Sequence, residues 1–262
     1  MVSSGVYAGI DAGSRAIKIV LLDGRTLDVR ACACTDQGPR PGPATQEAYD
    51  SLLSQNRLTC GDVRFTVATG YARGVVLADA TVTEITCHAV GVHHLLPQVR
   101  TVVEIGGQDS KLLWLTDGGR VRDFAMNDRC AAGTGRFLEL VAARLGRPLS
   151  DLGPLANAST RRATISSMCA VFAETEIIGL LASECPPESI VASVQSAIAS
   201  RVAAMAGGNV APPLAFTGGV AMVAGMDKAL EESLGCPVVI PDSPQYTGAL
   251  GAALLAARDN GT

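Results

Sequence analysis

Aromatic side chains are scarce in this sequence, 4% of 262 residues, with 1 Trp, 4 Tyr and 5 Phe. Charge is sparse too, at 18%, and neither sign dominates: 21 Lys+Arg stand against 25 Asp+Glu. The resulting net charge of −4 argues against a nucleic-acid protein, which carries a basic excess. Long hydrophobic runs are missing as well. The best, Gly248 to Ala257, is about half the ~18 residues of a membrane span and rich in small side chains. The opening Met1-Val2-Ser3-Ser4-Gly5 has neither a basic n-region nor an apolar h-region, so nothing marks the chain for export. A cytoplasmic protein with no membrane and no nucleic-acid partner is expected. There is no CxxC pair, hence no support for a zinc ribbon or a thioredoxin-like site. Neither GxxxxGK[ST] nor a strand-to-helix GxGxxG occurs, which removes the two commonest nucleotide fingerprints.

Apolar residues, by contrast, make up 48% of the chain, enough to fill a substantial core and to exclude wholesale disorder. The length supports one large domain or two small lobes. Eight cysteines stand at positions 32, 34, 60, 87, 130, 169, 185 and 236. In a reducing compartment these read as buried thiols, metal ligands or redox groups rather than disulfides. Cys32 and Cys34 fall on one face of an expected strand, where buried thiols in a packed sheet are the simplest reading.

Pattern along the chain alternates strands and helices. Val6 to Leu22 reads strand, glycine turn, strand; Asp23-Gly24 then turns into a third strand, Thr26 to Ala33. Gln37 to Pro43 is expected to be a loop, followed by a helix from Thr45 to Asn56 and a strand from Val63 to Ala68. Helices are expected over Glu84–Leu96, Ala131–Leu145, Val171–Leu181, Ser189–Ala206, Met222–Leu234 and Thr247–Arg258, with short strands at Leu214–Phe216 and Val238–Ile240. The fold class is α/β with a mixed sheet in each half.

The chain also repeats itself. Gly9-Ile-Asp11-Ala-Gly13-Ser-Arg-Ala-Ile-Lys18 matches Val102-Val-Glu104-Ile-Gly106-Gly-Gln-Asp-Ser-Lys111, with equal offsets: 104−11, 106−13 and 111−18 are all 93. Four apolar residues follow each lysine, and an Asp-Gly turn comes after them. This is a duplicated β–turn–β unit. Turn glycines let backbone N–H groups approach phosphate oxygens. The carboxylates Asp11, Glu104 and Asp109 suit a hydrated Mg²⁺ and are the candidate catalytic residues, while Lys18 is placed to neutralise phosphate charge. Gly107 and Gln108 continue the second turn. A third glycine pair, Gly218-Gly219, joins a short strand to a helix.

This ordered trio resembles the acetate and sugar kinase, heat-shock protein 70 and actin superfamily, whose first two elements grip phosphates and whose third grips adenosine. The resemblance implies a two-lobed, duplicated ribonuclease H-like fold with an ATP cleft between the lobes, one lobe spanning 1–95 plus 246–262 and the other 96–245.

Two cysteines stand in helix-start contexts: Cys130 in Asn127-Asp-Arg-Cys-Ala-Ala-Gly-Thr-Gly-Arg-Phe137, and Cys169 in Ile165-Ser-Ser-Met-Cys-Ala-Val-Phe-Ala-Glu174. Helix N-termini favour thiolates. Either cysteine alone reads as a small buried hydrophobe. Together with Glu104-Ile-Gly-Gly-Gln-Asp-Ser-Lys111, however, they resemble the ATP-dependent activators of 2-hydroxyacyl-CoA dehydratases, within the BadF/BadG/BcrA/BcrD ATPase family. The likeness runs from Gly9 to the Gln245-Tyr-Thr-Gly-Ala-Leu-Gly segment.

That resemblance implies a homodimer holding one [4Fe–4S] cluster on its two-fold axis, ligated by Cys130 and Cys169 of each subunit. A Cys₄ cluster needs four thiolates, and a two-fold axis doubles two to four. It implies ATP/ADP binding by Gly13, Ser14, Arg15, Ala16 and Ile17 of the first turn, with Gly106, Gly219 and Gln245. It also implies loading by a reduced ferredoxin or flavodoxin and ATP-driven delivery of one electron to a partner dehydratase. The same motifs fit the ATPase component of a benzoyl-CoA reductase or the reductase of a double-cubane-cluster protein. A small-molecule kinase with incidental thiols is a more distant alternative.

The remaining features have plainer readings. Cys87, His88, His93 and His94 read as one side of a packed helix rather than a zinc site. Trp114 reads as core, Arg161-Arg162 as a solvated turn, and Glu174 and Glu176 as first-turn acids complementing a helix dipole.

Overall fold

The structure is a computed structural model describing residues 5–165 and 169–259. The chain forms two compact units: Met1–Pro97 with Thr116–Val121 and Gln245–Thr262, and Gln98–Leu115 with Arg122–Pro244.

The first unit is built on a five-stranded mixed sheet. In chain order its strands are β1 (Val6–Ala12), β2 (Ala16–Asp23), β3 (Val29–Asp36), β4 (Val63–Thr69) and β5 (Ala80–Thr81). They lie in the order β3-β2-β1-β4-β5. β1 runs antiparallel to β2 and parallel to β4. Ala8, Ile10, Ile17, Ile19 and Leu21 bury one face against Tyr49, Leu52 and Leu53 of helix α1 (Pro41–Gln55). The other face packs on the C-terminal helix. Its glycine, Gly9, is there because a Cβ would sit 2.0 Å from the carbonyl oxygen of Ala249.

α1 begins at Pro41, four residues earlier than expected. Proline is tolerated in a first helical turn, where no N–H is owed to the ladder, so Pro41 and Pro43 start the helix rather than prevent it. β3 is shifted toward the C-terminus of its expected span. Asp23 accepts from the backbone N–H groups of Arg25 and Thr26, and Leu27 takes φ 61°, so the turn consumes residues expected in the strand.

The second unit repeats the scheme. Its strands are β6 (Thr101–Ile105), β7 (Ser110–Leu115), β8 (Val121–Asn127), β9 (Leu214–Thr217) and β10 (Val238–Val239), in the order β10-β9-β6-β7-β8. β6 runs antiparallel to β7 and parallel to β9, as β1 does to β2 and β4. The third strand, β8, escaped the sequence pattern because it is largely exposed and carries Arg122 and Asp123.

Helices α3 (Gly135–Leu145), α4 (Leu152–Ala158), α5 (Ala170–Ala182), α6 (Pro187–Ala206) and α7 (Met226–Leu234) share one core, centred on Phe137, Ile177, Val194, Ile198 and Phe216. α4 was not foreseen. Its seven residues are too few to show a helical period. α6 is long and apolar enough to cross a membrane by length and composition, yet 56% of that stretch is buried within the protein.

Two expected helices are divided. Between Ala131 and Leu145 a 3₁₀ turn (Ala131–Gly133) precedes α3, which Thr134 caps. Between Met222 and Leu234, Gly225 at φ 88° interrupts the chain before α7. The first unit is completed by α2 (Glu84–Leu95) and α8 (Thr247–Asp259). These approach so closely that a Cβ on Gly251 would meet the Cys87 carbonyl oxygen at 1.8 Å.

Candidate functional site

The first unit gathers its candidate residues around Asp11. Asp11 and Lys18 are directly opposite in the β1–β2 ladder, so both side chains leave the same face, and Lys18 Nζ lies 3.2 Å from Asp11 Oδ2. The turn between them is closed by the Gly13 N–H donating to the Ala16 carbonyl at 3.2 Å. Ser14, partly exposed, and Arg15, exposed, form its tip, while Ile17 is buried in the sheet. Gln37, missed in the sequence, joins this turn through its N–H on the Arg15 carbonyl, 3.1 Å. Asp11 also faces Gly70 at the end of β4, with φ 94° and room for no Cβ: Asp11 Oδ1 would lie 2.6 Å away. Beside it, buried His88 of α2 shares a 3.1 Å hydrogen bond between its Nδ1 and the Oγ1 of Thr247, at the start of α8. Gln245, just before α8, keeps a buried Oε1 with no hydrogen-bond partner in the structure.

The second unit reproduces this arrangement. Gly106 N–H donates to the Asp109 carbonyl at 2.9 Å, as Gly13 does to Ala16. Lys111 opposes Glu104 in the β6–β7 ladder and bonds Glu104 Oε2 at 2.9 Å and Asp109 Oδ2 at 2.7 Å. Gly107 and Gln108 form the tip of the turn, with Gln108 exposed.

The duplication extends further than the sequence revealed. Thr69 pairs with Asp11 across β4–β1, and Thr217 pairs with Glu104 across β9–β6. The glycine after each has positive φ, 94° at Gly70 and 88° at Gly218. A Cβ on Gly218 would meet the Ile105 carbonyl oxygen at 2.4 Å and Glu104 Oε1 at 2.7 Å, the counterparts of the Ala12 and Asp11 contacts at Gly70. A constant offset misses these Thr-Gly pairs: 69−11 is 58 but 217−104 is 113, because the second unit inserts α3 to α6 before its fourth strand. Gly219 is exposed beside Gly218, and the Thr217 Oγ1 is buried without a partner in the structure.

Both candidate thiols lie in this second unit. Cys130 is half-buried and precedes the 3₁₀ turn rather than an α-helix. Asn127 clamps its backbone: Asn127 Nδ2 donates to the Cys130 carbonyl at 2.9 Å, and the Cys130 N–H donates to Asn127 Oδ1 at 3.0 Å. The segment then returns to the second turn, where Gly135 N–H donates to the Gly106 carbonyl at 2.9 Å and Arg136 N–H to the Gly107 carbonyl at 2.8 Å. Cys169 is exposed and occupies the N-cap position of α5. The serine pair expected to cap that helix lies outside the described residues. Arg144 of α3 ion-pairs with Glu174 of α5, linking the helices that follow the two thiols. Glu174 therefore sits beyond the first turn, contrary to its expected dipole role, and no acid occupies that turn.

Other expectations are corrected or refined. Cys32 and Cys34 are exposed, not buried, because β3 is the edge strand of its sheet and leaves that face uncovered. Tyr246 lies near them, and burial with these neighbouring thiols pushes its phenol up to about 12. Cys87 of α2 is buried against α8, and burial raises its thiol to about 12. Trp114 is in the core and donates from Nε1 to the Asn209 carbonyl at 2.6 Å. Arg162 pairs with Glu232, so the Arg161-Arg162 turn is tied down on one side. Among the described residues no group of three or more His, Cys, Asp or Glu side chains is placed to hold a metal ion.

Comparison with known proteins gives this geometry a family. The profile of the BadF/BadG/BcrA/BcrD ATPase family matches residues 8–256, and the chain belongs to that family. It is 42% identical over 252 residues to the activator of lactoyl-CoA dehydratase of Anaerotignum propionicum, covering 95% of this chain and 96% of that one. It is 41% identical over 252 residues to the (R)-2-hydroxyglutaryl-CoA dehydratase activating ATPase of Acidaminococcus fermentans, covering 95% of each. One component of the benzoyl-CoA reductase of Thauera aromatica is 32% identical over 260 residues, covering 95% of this chain and 92% of that one. The structure of the 2-hydroxyisocaproyl-CoA dehydratase activator from Clostridium difficile with bound ADPNP superposes with a TM-score of 0.91 at 37% identity, covering 97% of this chain and 95% of that one. A ROK hexokinase from Thermus thermophilus, 15% identical with a TM-score of 0.51 over 97% of this chain and 98% of that one, shares the fold alone.

Proposed function

We propose that this member of the family is an ATP-dependent activator of a 2-hydroxyacyl-CoA dehydratase, passing it one electron taken from a reduced ferredoxin or flavodoxin in the cytoplasm. The observation that carries the reading is the run of backbone from Cys130 to the second phosphate turn. Gly135 and Arg136 hydrogen-bond Gly106 and Gly107, so a shift of that turn by nucleotide is felt five residues from a thiol.

In this reading Gly13 to Ile17, Lys18, Gly106 to Gln108, Gly218, Gly219 and Gln245 bind ATP or ADP. The glycines bring amide N–H groups to phosphate oxygens, and the unpartnered Gln245 Oε1 is left to accept a ligand hydrogen bond. Asp11, Glu104 and Asp109 supply carboxylates suited to a hydrated Mg²⁺ and orient the attacking water. Lys18 and Lys111 hold those carboxylates in place.

The thiols suit an iron–sulfur group in number and setting. Each chain offers two, Cys130 before the 3₁₀ turn and Cys169 at the N-cap of α5. Two copies would supply the four thiolates of a [4Fe–4S] cluster shared by a homodimer. When bound, such a cluster stores one electron at low potential. Exposed Val171 and Phe172, directly after Cys169, provide apolar surface suited to burial against the second copy. Asn127 fixes the Cys130 backbone, and the Arg144–Glu174 pair links α3 to α5.

Anaerobic purification tests this directly. A brown dimer is expected, with iron and sulfide lost in both Cys130→Ala and Cys169→Ala while ADP binding persists. Iron retained in both variants, or a monomer throughout, would refute the cluster assignment. Mixing the reduced protein, ATP and a candidate dehydratase should start dehydration; a colourless protein that phosphorylates a small molecule would overturn the activator reading.

A further inference from the structure

The second unit contains a cavity of about 560 Å³ beside Cys130, whose Arg201 and Ser110 the functions above leave unused. Its walls include Ser110, Asn127 and Cys130, with Arg201 and Met205 from α6. Arg201 and Met205 are four residues apart and so share one face of that helix. The Arg201 stem runs beneath the 3₁₀ turn after Cys130, its Cδ lying 3.4 Å from where a Cβ on Gly133 would stand. Its Nε is buried with no hydrogen-bond partner in the structure. A guanidinium donor withdrawn from water without an acceptor is costly, and an ordered water or an ion is what usually meets such a group.

The other polar groups narrow the choice of ligand. Asn127 has spent its amide on Cys130, donating once and accepting once, so it contributes little to a guest. Asp128 and Arg129, also lining the cavity, face one another at 3.8 Å and largely cancel. What remains is a guanidinium fork and the hydroxyl of Ser110. These are donors, and donors in fork geometry match oxyanions.

We propose that this cavity binds a tetrahedral oxyanion of the phosphate class, held by the Arg201 guanidinium with Ser110 as second donor. Ser110 directly follows Asp109 of the second phosphate turn. An ATPase releases inorganic phosphate at each turnover, which makes the product of this family's own reaction the nearest supply. Because the Arg201 stem supports the turn following Cys130, occupancy of the cavity bears on that loop. The inference rests on the ATPase activity of the family, and because Cys130 also lines the cavity its test reads phosphate binding rather than iron content.

Isothermal titration of the full chain with inorganic phosphate, in saturating ADP, tests the site. One phosphate is expected to bind per chain, and Arg201→Gln to weaken it by about ten-fold or more through loss of a charge-assisted fork. Ser110→Ala should weaken it by roughly five-fold, the worth of one hydrogen bond. Arg201→Lys, which keeps the charge and the stem, should fall between wild type and Arg201→Gln, and it decides the matter should Arg201→Gln not fold. Sulfate should compete and acetate should not. Competition by O-phosphoethanolamine tighter than phosphate would assign the site to the phosphoryl group of a larger ligand, and weaker competition to free phosphate. Unchanged phosphate binding in folded Arg201→Gln or Arg201→Lys, equal binding of acetate, or no binding by wild type would overturn the proposal.

Discussion

The ammonium of Lys111 is bonded to the carboxylate of Glu104 at 2.9 Å across adjacent strands, and only 2% of the lysine side chain reaches solvent. A second carboxylate, Asp109, meets the same nitrogen at 2.7 Å. In the first unit the corresponding lysine, Lys18, meets Asp11 at 3.2 Å and is 18% exposed. The two halves therefore share a register and differ in how much charge they bury.

That difference is measurable. Removing one partner of a buried ion pair leaves an uncompensated charge and costs about 3–5 kcal/mol. Lys111→Met is expected to lose that much in urea denaturation, since it strands Glu104 and Asp109. Lys18→Met should lose distinctly less, because Lys18 is itself 18% exposed and its loss strands Asp11 rather than two carboxylates. Equal losses would contradict the burial seen here.

The two positive-φ glycines offer a matched test of the duplication. Gly70→Ala and Gly218→Ala each place a Cβ against a backbone carbonyl oxygen, at 2.5 Å and 2.4 Å. Strain of about 1–3 kcal/mol is expected from backbone conformation alone, with the clash added to it. Both variants should melt at lower temperature and bind ADP more weakly, to similar extents. A neutral result at either position would break the equivalence.

Asn127 is expected to govern the Cys130 loop. Asn127→Ala removes two hydrogen bonds to the Cys130 backbone, each worth about 0.5–1.5 kcal/mol. Hydrogen exchange at the Cys130 amide should accelerate while exchange in β6 and β7 stays slow. On the proposed function, iron content of the anaerobic protein should fall as well.

Cys87 should be inert. Its thiol is held neutral to about 12 by burial, whereas an exposed thiol ionises near 9.0. The folded-state value is raised, so the stabilising contribution is complete below about 9 and is lost as pH rises toward about 12. Iodoacetamide at about pH 8.5 is expected to label the exposed Cys32 and Cys60 and spare Cys87. Rapid labelling of Cys87 in the folded chain would show that α2 and α8 separate.

Gly106→Val tests the proposed role of the second turn in binding phosphate. A Cβ at that position would lie 2.7 Å from Asp109 Oδ1. ADP affinity should drop sharply while the fold persists, and unchanged affinity would exclude this turn from the nucleotide site.

Much of this architecture was written in local pattern. The run Ile19 to Leu22 and its copy Leu112 to Leu115 are apolar throughout because both faces of each strand are covered, and such runs are readable without a structure. Edge strands are harder. Cys32 and Cys34 look like core thiols in sequence, and only the strand order β3-β2-β1-β4-β5 leaves β3 at the edge with its thiols exposed. β8, its counterpart, has no apolar period to detect for the same reason.

The site divides along the same line. Sequence alone determined the carboxylate–glycine–lysine repeat, because residues within one hairpin keep a fixed spacing and a copy of the hairpin keeps it too. Tertiary structure alone decided that Thr69-Gly70 and Thr217-Gly218 close on those carboxylates, that Asn127 grips Cys130, and that Arg201 reaches beneath the turn after it. Those contacts join strands or helices separated by insertions of unequal length, so no spacing encodes them. They exist only once parallel pairing and core packing have brought distant segments into register.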